Sequence, residues 1–142
     1  MAKQKHLRNS FYTLYTDGAS RGNPGRAGAG IVILAPDGDV ILQKGIYLGE
    51  KTNNEAEYLA LLLGLKEACK LGIKDLYIYI DSQLVVNHLK GIYKLRAKHL
   101  KPLYEKTKQA LSRFSYQISH ISRDKNKLAD KLANLAIDRE LE

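Results

Sequence analysis

The chain has one cysteine, three prolines and no tryptophan among its 142 residues. Cys69 cannot form an internal disulfide, which agrees with a reducing compartment and makes the cytoplasm the expected location. Beside Ala68 in a helical pattern, it reads as a small core residue. No apolar run approaches the roughly 20 residues of a membrane span, and the start Met1-Ala2-Lys3-Gln4-Lys5-His6 lacks the apolar segment of a signal peptide. No membrane contact is expected. Internal repeats, low-complexity tracts and interdomain linkers are also missing.

What is present is an ordinary globular composition, 44% hydrophobic and 27% charged, in a length that suits one domain with its own core. Residues 1–10 are polar and basic and read as a flexible leader, leaving 11–142 as a single domain. The net charge is +8, from 23 Lys and Arg against 15 Asp and Glu. If four of the acids share one site, 23 cations face the remaining 11 acids, and the rest of the surface carries +12. A basic surface around an acidic pocket suits a polyanionic partner whose chemistry needs a bound cation.

Two stretches share a design. Tyr12 to Gly18 alternates as a strand with Thr13, Tyr15 and Asp17 on one face, ending on the carboxylate and stopping at glycine. Leu76 to Asp81 repeats it, with Tyr77, Tyr79 and Asp81 on one face. Laid side by side and parallel, the two strands would bring both carboxylates to the sheet edge where α/β folds bind ligands. The alternative is that each Asp only opens a turn. Residues 18–28 are dense in turn formers and read as a loop, Ala29–Leu34 as a strand, Pro36–Asp39 as a tight turn and Val40–Leu48 as the partner strand. Residues 12–48 thus form an expected antiparallel meander.

The period then becomes helical. Thr52-Asn53-Asn54-Glu55 matches a capping box, and the helix runs to about Lys70 with Gly72 as its stop. Glu57 heads a stripe of Ala60, Leu61, Gly64 and Ala68, small residues that allow close approach to a sheet. Ser82–Leu89 reads as a short helix, residues 97–112 as another, Phe114–Ile121 as the last strand, and Lys125–Arg139 as the last helix with Leu128, Leu132, Leu135 and Ala136 as its core face.

Asp17-Gly18-Ala19-Ser20 with Gly22-Asn23-Pro24-Gly25, then Thr52 to Glu57, then Asp81-Ser82-Gln83, then Asn126 to Asn134 resemble the type 1 ribonuclease H family from residue 11 to 138. Each motif alone is a weak signal; four in the family's order and spacing are a strong one. The resemblance implies an α/β, ribonuclease H-like fold whose five-stranded mixed sheet, three antiparallel strands then two parallel, is flanked by helices. It implies a metal-dependent endonuclease that cuts the RNA strand of an RNA/DNA hybrid to 5′-phosphate and 3′-hydroxyl ends, and a monomer is expected. Asp17, Glu57, Asp81 and Asp130 match the family's catalytic, metal-binding carboxylates, which hold two Mg²⁺ ions, with Mn²⁺ as a substitute. Hard oxygen donors without Cys or His suit those ions. Asn53, Asn54 and Gln83 match amides that read the minor groove, where the 2′-hydroxyl is displayed. Gly18 and Asn23 would lie close to the RNA, and Thr52 would hold a phosphate of the DNA strand. For Asn53 and Asn54, helix capping is the competing role.

Two departures bear on substrate choice. The loop before the last helix, Ser122-Arg123-Asp124-Lys125, lacks the His found there in many members. His120 is nearest but lies in the strand as an expected structural histidine, which leaves Arg123 as the candidate phosphate contact. The segment between Asp81 and the last strand is too short for the extra basic helix some members use, and no Trp offers a phosphate-gripping platform. Double-stranded RNA therefore stands beside the hybrid as a second candidate substrate, and a non-catalytic hybrid-binding module on the same fold is the alternative outside enzymes.

Overall fold

The computed structural model describes residues 10–141, so the expected leader lies outside the described residues apart from Ser10. In chain order the elements are β1 (Tyr12–Ser20), β2 (Gly25–Leu34), β3 (Val40–Lys51), α1 (Asn53–Lys70), β4 (Asp75–Ile80), α2 (Gln83–Leu89), α3 (Lys101–Leu111), β5 (Ser115–His120) and α4 (Lys127–Leu141). The strands form one sheet in the order β3-β2-β1-β4-β5. Strands β1, β2 and β3 pair antiparallel, while β4 runs parallel to both β1 and β5. None of the helices is long and apolar enough to cross a membrane among the described residues.

The meander is longer than its sequence pattern implies. β1 does not stop at Gly18 but pairs with β2 as far as Ser20 and Ala27, so the expected loop shrinks to residues 21–24 at the end of a hairpin. Opposite it, β3 continues past Leu48 to Lys51 by way of a register shift that leaves Leu48 unpaired between Tyr47 and Gly49. The glycines that resemble turn signals here serve packing. A Cβ on Gly18 would collide with the Ala56 backbone of α1, and one on Gly28 or Gly30 with the Ala133 or Ala129 carbonyl of α4. The turn at Pro36–Asp39 forms as expected, closed by Gly38 N–H donating to the Ala35 carbonyl at 2.9 Å.

α1 covers one face of the sheet. Thr52 caps it reciprocally with Glu55, and Glu57, Ala60, Leu61, Gly64 and Ala68 are all buried. Gly64 sets the distance, because a Cβ there would meet Thr16 Cγ2 at 2.8 Å. With α2 and α3, α1 encloses the main core, in which Leu14, Ile31, Ile33, Leu76, Ile78 and Ile80 meet Tyr58, Leu61 and Leu65. Each such fully buried aliphatic side chain contributes about 1.5–3 kcal/mol of transfer free energy. α3 begins later than its periodicity suggests, at Lys101, because Lys98–Leu100 is a tighter 3₁₀ turn leading into Pro102.

α4 covers the opposite face and corrects the expected leucine stripe. Its buried residues are Ala129, Ala133, Ala136 and Ile137, while Leu128 is 39% exposed. A floor containing Gly28, Gly30 and Gly45 draws the helix backbone down onto the sheet, so alanines fill most of the contact and Ile137 packs over the bare Gly28. Arg21 fastens the β1–β2 turn to the same helix through Asp138, at 2.7 Å. Two other expectations are revised. Cys69 is exposed, since Ala68 occupies the buried stripe and the next residue turns away from it. The buried, hydrogen-bonded histidine is His88, whose Nδ1 meets the Tyr58 hydroxyl at 2.9 Å, whereas His120 is exposed at the sheet edge.

Candidate active site

Asp17 and Asp81 hold equivalent places on neighbouring parallel strands. The register pairs Tyr15 with Tyr79 and Thr16 with Ile80, so each Asp directly follows the last matched pair. The rings of Tyr15 and Tyr79 stack at 5.4 Å, as expected if both strands turn the same face outward. β4 ends there while β1 continues, so the two carboxylates meet where β1 loses its parallel neighbour.

Glu57 arrives from the opposite layer. Its Oε1 accepts a hydrogen bond from the Gly18 N–H at 2.6 Å, an approach that the missing side chain of Gly18 permits. One oxygen each from Asp17, Glu57 and Asp81 then lies within 4.8 Å of the others. Asp17 is 6% and Glu57 9% exposed, so water screens their charges poorly. Burial is the main reason Asp17 is pushed up to about 9, and the charges of Glu57 and Asp81 add to it. Asp130, early in α4, raises Asp17 further as a hydrogen-bonding partner and as a like charge. Glu57 is pushed up to about 8, mainly by burial and further by Asp81, while the Gly18 N–H and the charge of Arg123 oppose the rise.

Asp130 is therefore a neighbour of Asp17 but stands outside the tight group of three. Its Oδ1 accepts from Asn134 Nδ2, one turn further along α4, at 3.2 Å. All four expected carboxylates are thus brought to one place, from β1, α1, the end of β4 and the start of α4.

Some residues expected to contact substrate have their hydrogen-bonding roles partly fixed. The Gly18 N–H is committed to Glu57. Thr52 Oγ1 accepts from Glu55 N–H at 3.2 Å and Asn23 Oδ1 accepts from Asn53 N–H at 3.1 Å, so both residues cap α1 with an oxygen. Each keeps a donor, the Thr52 hydroxyl and the Asn23 amide N–H groups, for another partner. Capping does not engage the side chains of Asn53 or Asn54, because Thr52 performs it. Gln83, exposed, opens α2 two residues after Asp81. Arg123 is exposed in a 3₁₀ turn and near enough to act on Glu57.

One residue of the site escaped the reading of the sequence. Asn126 is buried, and its Nδ2 donates to the Thr16 carbonyl at 2.9 Å and to Asp81 Oδ2 at 3.4 Å. An amide four residues before Asp130, ahead of a helix, was the available signal, but it reads equally as a cap.

The donor set fits a hard divalent cation: convergent carboxylate oxygens, no Cys or His, and raised proton affinities that a cation would reverse. The sheet order, together with carboxylates delivered from these four elements, defines a ribonuclease H-like fold. Residues 15–136 match the family described as reverse transcriptase-like. The chain is 40% identical over 125 residues to ribonuclease HI of Halobacterium salinarum, which covers 87% of this chain and 63% of that protein. It is also 40% identical over 124 residues to the bifunctional protein Rv2228c of Mycobacterium tuberculosis, covering 86% of this chain but 34% of the longer protein. LC11-RNase H1, solved in complex with an RNA/DNA hybrid, superposes with a TM-score of 0.87 at 36% identity, over 92% of this chain and 99% of that one. The chain belongs to the type 1 ribonuclease H family. It is a short form, with no helix between α2 and the 3₁₀ turn at Lys98 among the described residues.

Proposed function

We propose that this chain is a metal-dependent endoribonuclease that hydrolyses the RNA strand of RNA/DNA hybrids, leaving 5′-phosphate and 3′-hydroxyl ends. The convergence of Asp17, Glu57 and Asp81 within 4.8 Å carries the reading. Those three, with Asp130 beside Asp17, would hold Mg²⁺, or Mn²⁺ in its place. Bound there, such cations supply neutralisation of the phosphate and a lowered pKa for the attacking water. A module that only binds nucleic acid gains nothing from buried acids facing phosphates, which tells against the non-catalytic alternative.

The residues around the carboxylates support a nucleic-acid duplex as substrate. Thr52 and Asn23 each retain a donor suited to a phosphate oxygen, and Asn53, Asn54 and Gln83 offer amides able both to donate to and accept from a 2′-hydroxyl and base edges. Arg123 adds a positive charge on the same side as Glu57. The hybrid bound by LC11-RNase H1 supports the same substrate class.

Cleavage of a labelled RNA/DNA duplex with Mg²⁺ tests the proposal, with Asp81→Asn as the control. Activity unchanged by that substitution rejects it. A broader taste for duplex RNA is favoured by one observation, the irregular 90–97 connection where an additional basic helix is absent among the described residues. Matched hybrid and RNA/RNA duplexes decide it, and no RNA/RNA cutting excludes the broader reading.

A further inference from the structure

Asn126 immediately precedes α4 and is 2% exposed. Its two amide N–H groups are directed at the Thr16 carbonyl, at 2.9 Å, and at Asp81 Oδ2, at 3.4 Å. Its own main-chain carbonyl accepts from the Asp130 N–H at 3.1 Å. One buried residue thus touches the backbone just before Asp17, the side chain of Asp81 and the main chain of Asp130.

The amide oxygen makes the arrangement informative. Asn126 Oδ1 is buried without a hydrogen-bond partner among the described residues. Turning the amide over would set that oxygen against two other acceptors, so the orientation is fixed by a requirement for two donors. A buried polar atom left unsatisfied needs a reason, and helix capping does not supply one, because the contact to Asp130 uses the main chain. A donor aimed at Asp81 holds that carboxylate in one orientation and offsets part of the repulsion within the cluster.

We infer that Asn126 is a positioning residue for divalent-cation binding: its amide orients the Asp81 carboxylate, and its carbonyl sets where α4, and with it Asp130, begins. The inference rests on the cation-binding reading above.

The test titrates the folded full chain with Mn²⁺ alone by calorimetry, comparing wild type, Asn126→Ala and Asn126→Ser, and repeating Asn126→Ala in an Asp81→Asn background. Asn126→Ala is expected to weaken Mn²⁺ binding about tenfold, the usual effect of losing an outer-shell partner. Asn126→Ser, which keeps one donor, should weaken it less. In hybrid cleavage, the Mg²⁺ needed for half-maximal rate should rise by a similar factor while KM for the hybrid stays within about twofold. In the Asp81→Asn background, Asn126→Ala should change Mn²⁺ binding no further. Unchanged Mn²⁺ affinity with only a lowered melting temperature would assign Asn126 to the scaffold and overturn the inference, as would unfolding of both single variants. A wild-type chain that binds no Mn²⁺ overturns the cation reading itself, and the inference with it.

Discussion

Glu57 Oε1 accepts a hydrogen bond from the Gly18 N–H at 2.6 Å, tying the carboxylate of α1 to the strand residue that follows Asp17. Gly18→Ala would drive a methyl group into the Ala56 backbone and pry α1 from β1. It is expected to cost about 1–3 kcal/mol or more by overpacking, and to remove hybrid cleavage by displacing Glu57. Urea unfolding and a cleavage assay measure the two effects, and wild-type activity would contradict this account of the contact.

Glu57→Gln separates charge from geometry. The amide oxygen can still accept from Gly18, while the charge that raises Asp17 is gone. The variant should melt at or above the wild-type temperature without metal, yet lose cleavage by more than the roughly 10–100-fold of an outer-shell change. Calorimetry and turnover together check it.

Asp17 and Glu57 rise in the folded chain from ordinary values of 3.8 and 4.5 to about 9 and about 8. Between those limits the folded state binds protons that the unfolded chain has released, so their contribution to stability is full at acid pH and is lost as pH climbs. Without metal, the melting temperature is expected to fall between about pH 5 and pH 9 from this source, and the rise produced by Mg²⁺ should grow over the same interval. A Mg²⁺ shift that is flat or shrinks with pH would refute it.

The seat of α4 is testable by substitution. Ala133→Leu should destabilise by about 1–3 kcal/mol, because Ala133 is fully buried with its backbone against the glycine floor, whereas Leu128→Ser, on an exposed position, should stay within about 0.5 kcal/mol. The opposite ranking in chemical denaturation would restore the leucine stripe.

Cys69 is exposed and far along α1 from Glu57. A thiol reagent should label the folded chain at one site and leave hybrid cleavage unchanged. Protection of the thiol until unfolding would place it back in the core.

The carboxylates were readable because their signals are local: an Asp at the end of a matched strand pair, and a Glu heading a small-residue stripe after a capping box. The box forms as written, with Thr52 N–H donating to Glu55 Oε1 at 2.9 Å. What misled were residues whose meaning depends on a distant partner. Gly18 and Gly28 resemble turn formers, but they are strand positions lying under helices. Leu128 outranks Ala129 in hydrophobicity, yet the helix buries the alanine because the sheet beneath it is bare. Asn126 falls inside the helix expected from Lys125, and only its fold partners reveal the contact to Asp81.

The pairing of Thr16 with Ile80 carries a consequence for how the chain matures. A slip of one residue between these strands would send Asp17 and Asp81 to opposite sides of the sheet, where no single ion could reach both. A divalent ion held by both carboxylates would therefore stabilise the aligned strands over the slipped ones.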